Sequence, residues 1–183
     1  MSVIVPGRGP AGRDLRRAYS LAGFCGPAFR LCIKLVPGGP GSNFLAGLQC
    51  KEQFQALMPY GDFCWEESAH RHVFVATGTG IAPFRAMLEE APRQATVYFG
   101  VRSADELIYL DACRQRGATL LTALSQEQER VRVTTIFQQH HIDFDRSTQF
   151  YLCGNGAMIQ DMRALLEQKG VTKDRVAYEK YYS

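Results

Sequence analysis

Six cysteines are present in the 183 residues, Cys25, Cys32, Cys50, Cys64, Cys113 and Cys153, yet no two fall at C-x-x-C spacing. That absence argues against a zinc site, an iron–sulfur cluster and a secreted disulfide framework together. No apolar run is long enough to span a membrane, and the start lacks the basic-then-apolar layout of a signal peptide. Strong charge is missing too. The net charge is only +3, with local clustering confined to Arg8, Arg13, Arg16 and Arg17, so a nucleic-acid surface has little support. There is no low-complexity tract and no internal repeat. What remains is a reduced, cytoplasmic protein, 46% hydrophobic and long enough for one ordinary domain or for one domain and part of another. No metal is expected.

The texture of the chain changes once. From Arg17 to about Glu67 the apolar segments are short and broken by glycine and proline: "RAYSLAG", "FRLCIKLV" and "FQALMPY" read as antiparallel strands, with "SNFLAGL" as a short helix. From His72 continuous apolar runs alternate with helical periodicity. "HVFVAT", "ATVYFG", "ATLLTAL", "TQFYLCG" and "RVAYE" read as strands. Helices are expected from Ile81 to Glu90, Ala104 to Arg116, Thr135 to His140 and Ala157 to Lys169. Such alternation predicts a parallel sheet covered on both faces. The boundary falls between Glu67 and Arg71, giving domains 1–68 and 69–183.

Two glycine turns follow apolar strands. "VATGTGIAPFRAML" ends a strand at Thr77, turns through Gly78, Thr79 and Gly80, and opens a helix with Pro83 in its first turn. Amides at such a helix start favour a phosphate, although the same glycines also suit a plain tight turn. "FYLCGNGAMIQDM" repeats the arrangement at Gly154, Asn155 and Gly156. Both turns lie at carboxyl ends of parallel strands, where ligands bind. Cys153 either points toward that crevice or is a small buried hydrophobe. Earlier, "LRRAYSLAG" puts Arg17 and Tyr19 on one strand face, and "GGPGSNFL" leads glycines into Ser42 at a helix start. These residues form either a solvated face or a second anion cradle. The terminal "YEKYYS" is either a packed strand edge or a ring over a planar group.

In order, "RAYS", "GGPGSNFL", "MPYGDF", "GTGIAPFRAML", "YFGVRS", "YLCGNGAM" and "YEKYY" resemble the ferredoxin–NADP(H) reductase superfamily of the bacterial and oxygenase-reductase type. The resemblance implies an α/β plus β fold: an antiparallel FAD-binding barrel, here partial, followed by a parallel-sheet nicotinamide-binding α/β domain. It implies that Arg17 pairs with the FAD pyrophosphate, Tyr19 stacks on the isoalloxazine and Ser20 sits near flavin N5. Ile33 and Lys34 give main-chain contacts to the flavin, and Gly41 and Ser42 hold its phosphates. Thr77, Gly78, Thr79 and Gly80 approach NAD(P)H, Cys153 and Gly154 line the hydride-transfer position, and Glu179 and Tyr181 match the terminal glutamate and shielding aromatic. Tyr19, Ser20, Cys153 and Glu179 are the catalytic set so implied.

The implied reaction is hydride transfer from the nicotinamide to FAD, then release of electrons to a separate acceptor, a ferredoxin, flavodoxin, oxygenase component or free flavin. Ser125 followed by Gln126 and Glu127 leans toward NADH, because a carboxylate repels a 2′-phosphate; Arg130 and Arg132 pull the other way. By the same resemblance Met1 falls inside "SVIVP", a strand that others normally precede. The expectation is therefore an N-terminally truncated barrel with an open edge where a partner chain could pair. The alternative class is a truncated, non-catalytic nucleotide-binding protein, or an electron-transfer subunit that needs a partner to complete the barrel.

Overall fold

The computed structural model describes residues 1–90, 95–127, 130–140 and 144–182. The chain divides into two units, Met1–Asp62 and Phe63–Ser183.

In the first unit, β1 (Ser2–Val5) is the middle of a three-stranded antiparallel sheet between β2 (Leu15–Ala18) and β5 (Ala56–Leu57). A separate hairpin pairs β3 (Leu21–Cys25) with β4 (Ala28–Leu31). Helix α1 (Pro40–Gly47) follows. Alternation along β1 sends Val3 and Val5 inward, where with Met1 they form a small core contacted by Leu15, Tyr19, Phe44, Leu45 and Phe54.

The expected helix is present, and the expected strands are shorter than the runs that suggested them. "RAYSLAG" breaks after Ala18 and resumes at Leu21; "FRLCIKLV" stops pairing at Leu31; "FQALMPY" keeps only Ala56 and Leu57. Strand preference reflects packing on a half-buried surface, and here the surface is scarce: none of the four β2 residues is fully buried.

The second unit is a five-stranded parallel sheet in the order β10-β9-β6-β7-β8, formed by β6 (Arg71–Thr77), β7 (Ala95–Val101), β8 (Thr119–Leu124), β9 (Thr148–Asn155) and β10 (Val176–Tyr182). Helices α2 (Ile81–Glu90) and α3 (Leu110–Gln115) cover one face; α4 (Val133–Gln139) and α5 (Gly156–Gln168) cover the other. Alternate strand residues feed two cores. Phe74, Ala76, Val97, Phe99, Tyr151 and Cys153 enter one. Val73, Val75, Tyr98, Phe150 and Leu152 enter the other. This double burial is why the strands read as continuous apolar runs.

One helix differs. The segment expected to be helical from Ala104 to Arg116 is a 3-10 turn at Ala104–Glu106 and then, after Tyr109 at φ +61°, the short α3. Leu107, Ile108, Tyr109 and Leu110 all pack on the same core. Four consecutive residues cannot share one helical face, so the chain leaves the helix to bury them.

Before β6, the segment from Phe63 docks on its own unit. The Trp65 ring stacks on His72 at 3.6 Å, and the Tyr151 hydroxyl accepts a hydrogen bond from Glu66 N–H at 2.9 Å. His72 is buried, with Nε2 3.1 Å from the Ala69 carbonyl and Nδ1 3.4 Å from the Tyr151 hydroxyl. Burial holds its pKa below the usual histidine value against the pull of the Ala69 carbonyl and Glu66.

Candidate functional site

In the second unit the two glycine turns lie side by side, because β6 and β9 are parallel neighbours and both turns follow their carboxyl ends. Gly78–Gly80 form a 3-10 turn into α2, with Thr77 and Gly78 half-buried. Gly154 and Asn155 lead into α5. Asn155 caps that helix, its Oδ1 accepting from Ala157 N–H at 2.8 Å and Met158 N–H at 3.3 Å. Its own N–H donates to Thr77 Oγ1 at 2.9 Å, tying one turn to the other.

The glycines serve this seam. A Cβ on Gly80 would lie 2.8 Å from Gly154 N and closer still to the Cys153 carbonyl. A Cβ on Gly154, at φ +125°, would press on Thr77 Oγ1 and lie 2.6 Å from the Thr77 carbonyl. The glycine at 80 thus admits the backbone of the neighbouring turn, a role the G-x-G pattern does not distinguish from approach to a phosphate. The Thr77–Asn155 bond was not read from the sequence; the only signal available was that two turns end adjacent strands.

Cys153 is fully buried and stands in register with Glu179 on β10. Burial pushes the thiol pKa far up; a hydrogen bond from the Tyr181 side chain works against this, and the charge of Glu179 adds to it. The thiol is therefore protonated at neutral pH and is no nucleophile. Cys153, Glu179 and Tyr181 come together on one sheet face beside the seam. Thr79 is half-buried in the turn.

Ser125, just past β8, donates through both N–H and Oγ to the Val101 carbonyl at 3.0 and 3.1 Å. Glu127 Oε1 accepts from Ala104 N–H at 2.9 Å, fixing a carboxylate two residues beyond Ser125 in the chain. Arg130 and Arg132 are exposed.

In the first unit the structure brings Arg17 and Tyr19 over the start of α1. A Cβ on Gly41 would sit 2.5 Å from the Tyr19 hydroxyl and 2.9 Å from Arg17 Cγ. Tyr19 is half-buried, and burial raises its pKa while Arg17 lowers it. Arg17 is exposed and spends Nη1 on the Arg16 carbonyl at 3.0 Å. The Ser42 hydroxyl accepts from Val36 N–H at 3.2 Å and donates to the Gly39 carbonyl at 3.3 Å, so what Ser42 offers at the helix start is its N–H. Asn43 Nδ2 braces the same loop through the carbonyls of Val36 and Gly39 at 3.1 and 2.6 Å. Beside it is a cavity of about 450 Å³ whose wall includes Arg8, Gly38, Gly39 and Asn43. Ser20 lies in the break between β2 and β3. Ile33 and Lys34 follow β4, outside the strand that the sequence suggested for them.

Comparison with known proteins bears on both units. The model of the oxidoreductase NAD-binding domain matches residues 74–164. Over 202 residues the chain is 28% identical to ferredoxin–NADP reductase B of Sorangium cellulosum, covering 93% of this chain and 80% of that one. It is 29% identical over 173 residues to the reductase component of propane 2-monooxygenase from Rhodococcus jostii, covering 82% of this chain and 46% of the relative. The chain thus spans about half the length of that reductase. The FAD/NAD-binding domain of nitric oxide dioxygenase from Vibrio cholerae superimposes with a TM-score of 0.79 at 22% identity, covering all of this chain and 83% of that one, a likeness of fold. A match to the nucleotide half alone would leave the first unit unassigned. Alignments that run through both units do not: over both, the chain is similar to ferredoxin–NADP reductases and to reductase components of oxygenases, and its second unit carries the match to the oxidoreductase NAD-binding domain.

Proposed function

We propose that this protein is a flavin-dependent NAD(P)H oxidoreductase that takes hydride from the nicotinamide onto FAD and delivers the electrons to a separate acceptor such as a ferredoxin, a flavodoxin or an oxygenase component. The observation that carries the reading is the meeting of Cys153, Glu179 and Tyr181 at the glycine seam. A buried, protonated thiol with a carboxylate beside it gives a shaped wall with one negative charge and no thiolate to compete as a nucleophile.

The residues present fit both cofactors. At the start of α1, the place a Cβ on Gly41 would fill lies against Arg17 and Tyr19, so only glycine leaves that cradle open. The N–H groups of Gly41 and Ser42 and the Arg17 guanidinium suit the FAD pyrophosphate, with Arg8 as a second cation in the adjoining cavity. Tyr19 would stack on the isoalloxazine, Ser20 would lie near its N5, and Ile33 and Lys34 would give main-chain contacts. In the second unit, Thr77, Gly78, Thr79, Gly80 and Gly154 would receive the pyrophosphate and nicotinamide. Bound FAD supplies hydride acceptance and release of single electrons.

The chain's own part is positional. Thr77 and Asn155 lock the two turns. Burial keeps the proton on Cys153 Sγ, and Tyr181 holds that thiol and offers its ring as a shield. Glu179, in register with Cys153, would place a carboxylate near a bound nicotinamide, whose charge changes in the transfer. For the nucleotide we favour NADH, because Glu127 is fixed near Ser125 and would repel a 2′-phosphate. A cytoplasmic setting matches the six cysteines, which form no disulfide. Among the described residues no helix is long and apolar enough to cross a membrane. A second reading, a subunit that works with a partner chain on its first unit, is favoured by Phe24, Leu35, Val36 and Tyr60, each more than half exposed there.

Anaerobic absorbance titration of the FAD-supplemented protein with NADH and then NADPH tests the proposal. Bleaching of bound flavin, at lower concentration with NADH, is expected. Protein that binds nucleotide yet retains no flavin would leave the non-catalytic reading standing, and activity that appears only with a copurifying chain would establish the second one.

A further inference from the structure

At the opposite end of the parallel sheet, before the amino ends of β6, β9 and β10, lies a polar cavity of about 250 Å³. Its wall includes Glu66, Arg146, Gln149, Asp174 and Arg175. We infer that this cavity binds a free α-amino acid.

The inference starts from what is already satisfied there. Ser68 spends its N–H and hydroxyl on Glu66 Oε1, at 3.1 and 2.6 Å. Ser147 spends both on Asp145 Oδ1, at 2.9 and 2.5 Å, and Thr148 bonds the same residue. Two groups stand out against this saturation. Gln149 is only 9% exposed and lines the cavity, yet its amide has no hydrogen-bond partner among the described residues. Arg175 donates Nη1 to the Asp145 carbonyl at 2.5 Å, while its Nε is buried with no partner. Buried polar groups are nearly always paired, so the buried, unpaired Arg175 Nε points to a missing partner, and the Gln149 amide in the same wall is available to it.

The charges select its chemistry. Arg146 and Arg175 offer guanidinium forks, which suit a carboxylate. Glu66 and Asp174 stand in the same wall, so a simple anion would meet two carboxylates and a simple cation two guanidiniums. A zwitterion satisfies both signs: its carboxylate faces the arginines, its ammonium faces Asp174, and the Gln149 amide serves either end. The volume falls below that of cavities for drug-sized ligands and suits a metabolite of amino-acid size. The site does not depend on the redox function proposed above.

Calorimetric titration of the full chain with L-glutamate, L-glutamine and L-arginine, with acetate and methylammonium as single-charge controls, tests the inference. Saturable one-to-one binding of at least one amino acid is expected, with both controls at least about tenfold weaker. Arg146→Ala and Asp174→Asn, both at exposed positions, should each weaken binding about tenfold, and the Gln149 side-chain amide resonances should shift on titration. The inference is overturned if none of the three binds at about millimolar concentration, if acetate binds as tightly as the amino acid, or if both variants bind unchanged.

Discussion

Strand β9 in the second unit buries every residue from Thr148 to Gly154, whereas β2 in the first buries none. The charges divide as unevenly: residues 1–62 carry seven basic and three acidic side chains, and residues 63–183 carry fourteen and fifteen. The second unit is held by its own packing against two cores. The first rests on a three-residue core, short ladders and tight turns, and it carries an excess of positive charge. In a unit of that kind, bound ligand supplies a large share of stability, because anything that binds only the folded form adds to it.

The comparison can be broken most severely at the seam. Gly80→Val should cost the second unit about 4 kcal/mol or more, because the new side chain meets the backbone of Cys153 and Gly154. Urea unfolding followed by near-UV signals of that unit measures it. A loss of less than about 1 kcal/mol would mean that the turns separate freely.

Next in size is alkaline pH. Burial pushes the Cys113 thiol up to about 11, despite the opposing charges of Arg85 and Arg114. With the unfolded thiol near 9, the native state holds the proton over that interval and the unfolded state does not. Cys113 therefore contributes stability that is intact below about pH 9 and falls by up to about 3 kcal/mol as the pH approaches 11. Chemical denaturation across that range should show a fall for the second unit, and Cys113→Ala should make it shallower by that amount, the remainder coming from groups such as the buried Cys153 thiol, which burial also pushes up.

A smaller effect sharpens the contrast from the other side. Tyr19→Ala should weaken FAD binding at least about tenfold, roughly 1.4 kcal/mol, and leave nicotinamide nucleotide binding unchanged. Calorimetry with each ligand checks this, and equal losses for both would unseat the assignment of Tyr19 to the flavin. The smallest is Ser42→Ala, which strips the Val36 N–H of its acceptor and should cost about 1 kcal/mol of first-unit stability, read by thermal melting without FAD.

The same contrast explains what could be read in advance. Helix α2 was legible end to end, and the parallel strands were legible because burial on both faces leaves an uninterrupted apolar signature. The strands of the first unit were overextended, since a half-exposed apolar residue such as Leu35 looks the same in a list as a buried one. Tyr109 broke an expected helix because the demands of the core outweighed local periodicity. For the site, the resemblance supplied the residues, but the facing of Glu179 and Cys153 is a matter of register between strands far apart in sequence, which spacing does not encode. The resemblance assigns Thr77 and Ser42 to ligands without saying which atoms serve, and the structure employs both hydroxyls within the protein.

Trp65 is the chain's one tryptophan, and it lies flat on His72. Nature has thereby installed a single reporter dye: red-edge excitation reads the seating of the segment around residue 65 with no background from any other indole. An imidazolium quenches indole emission more than a neutral ring does. Because burial depresses the His72 pKa, the brightness should hold through mild acidification and drop only below the usual histidine range, marking protonation of the ring while Trp65 is still seated on it.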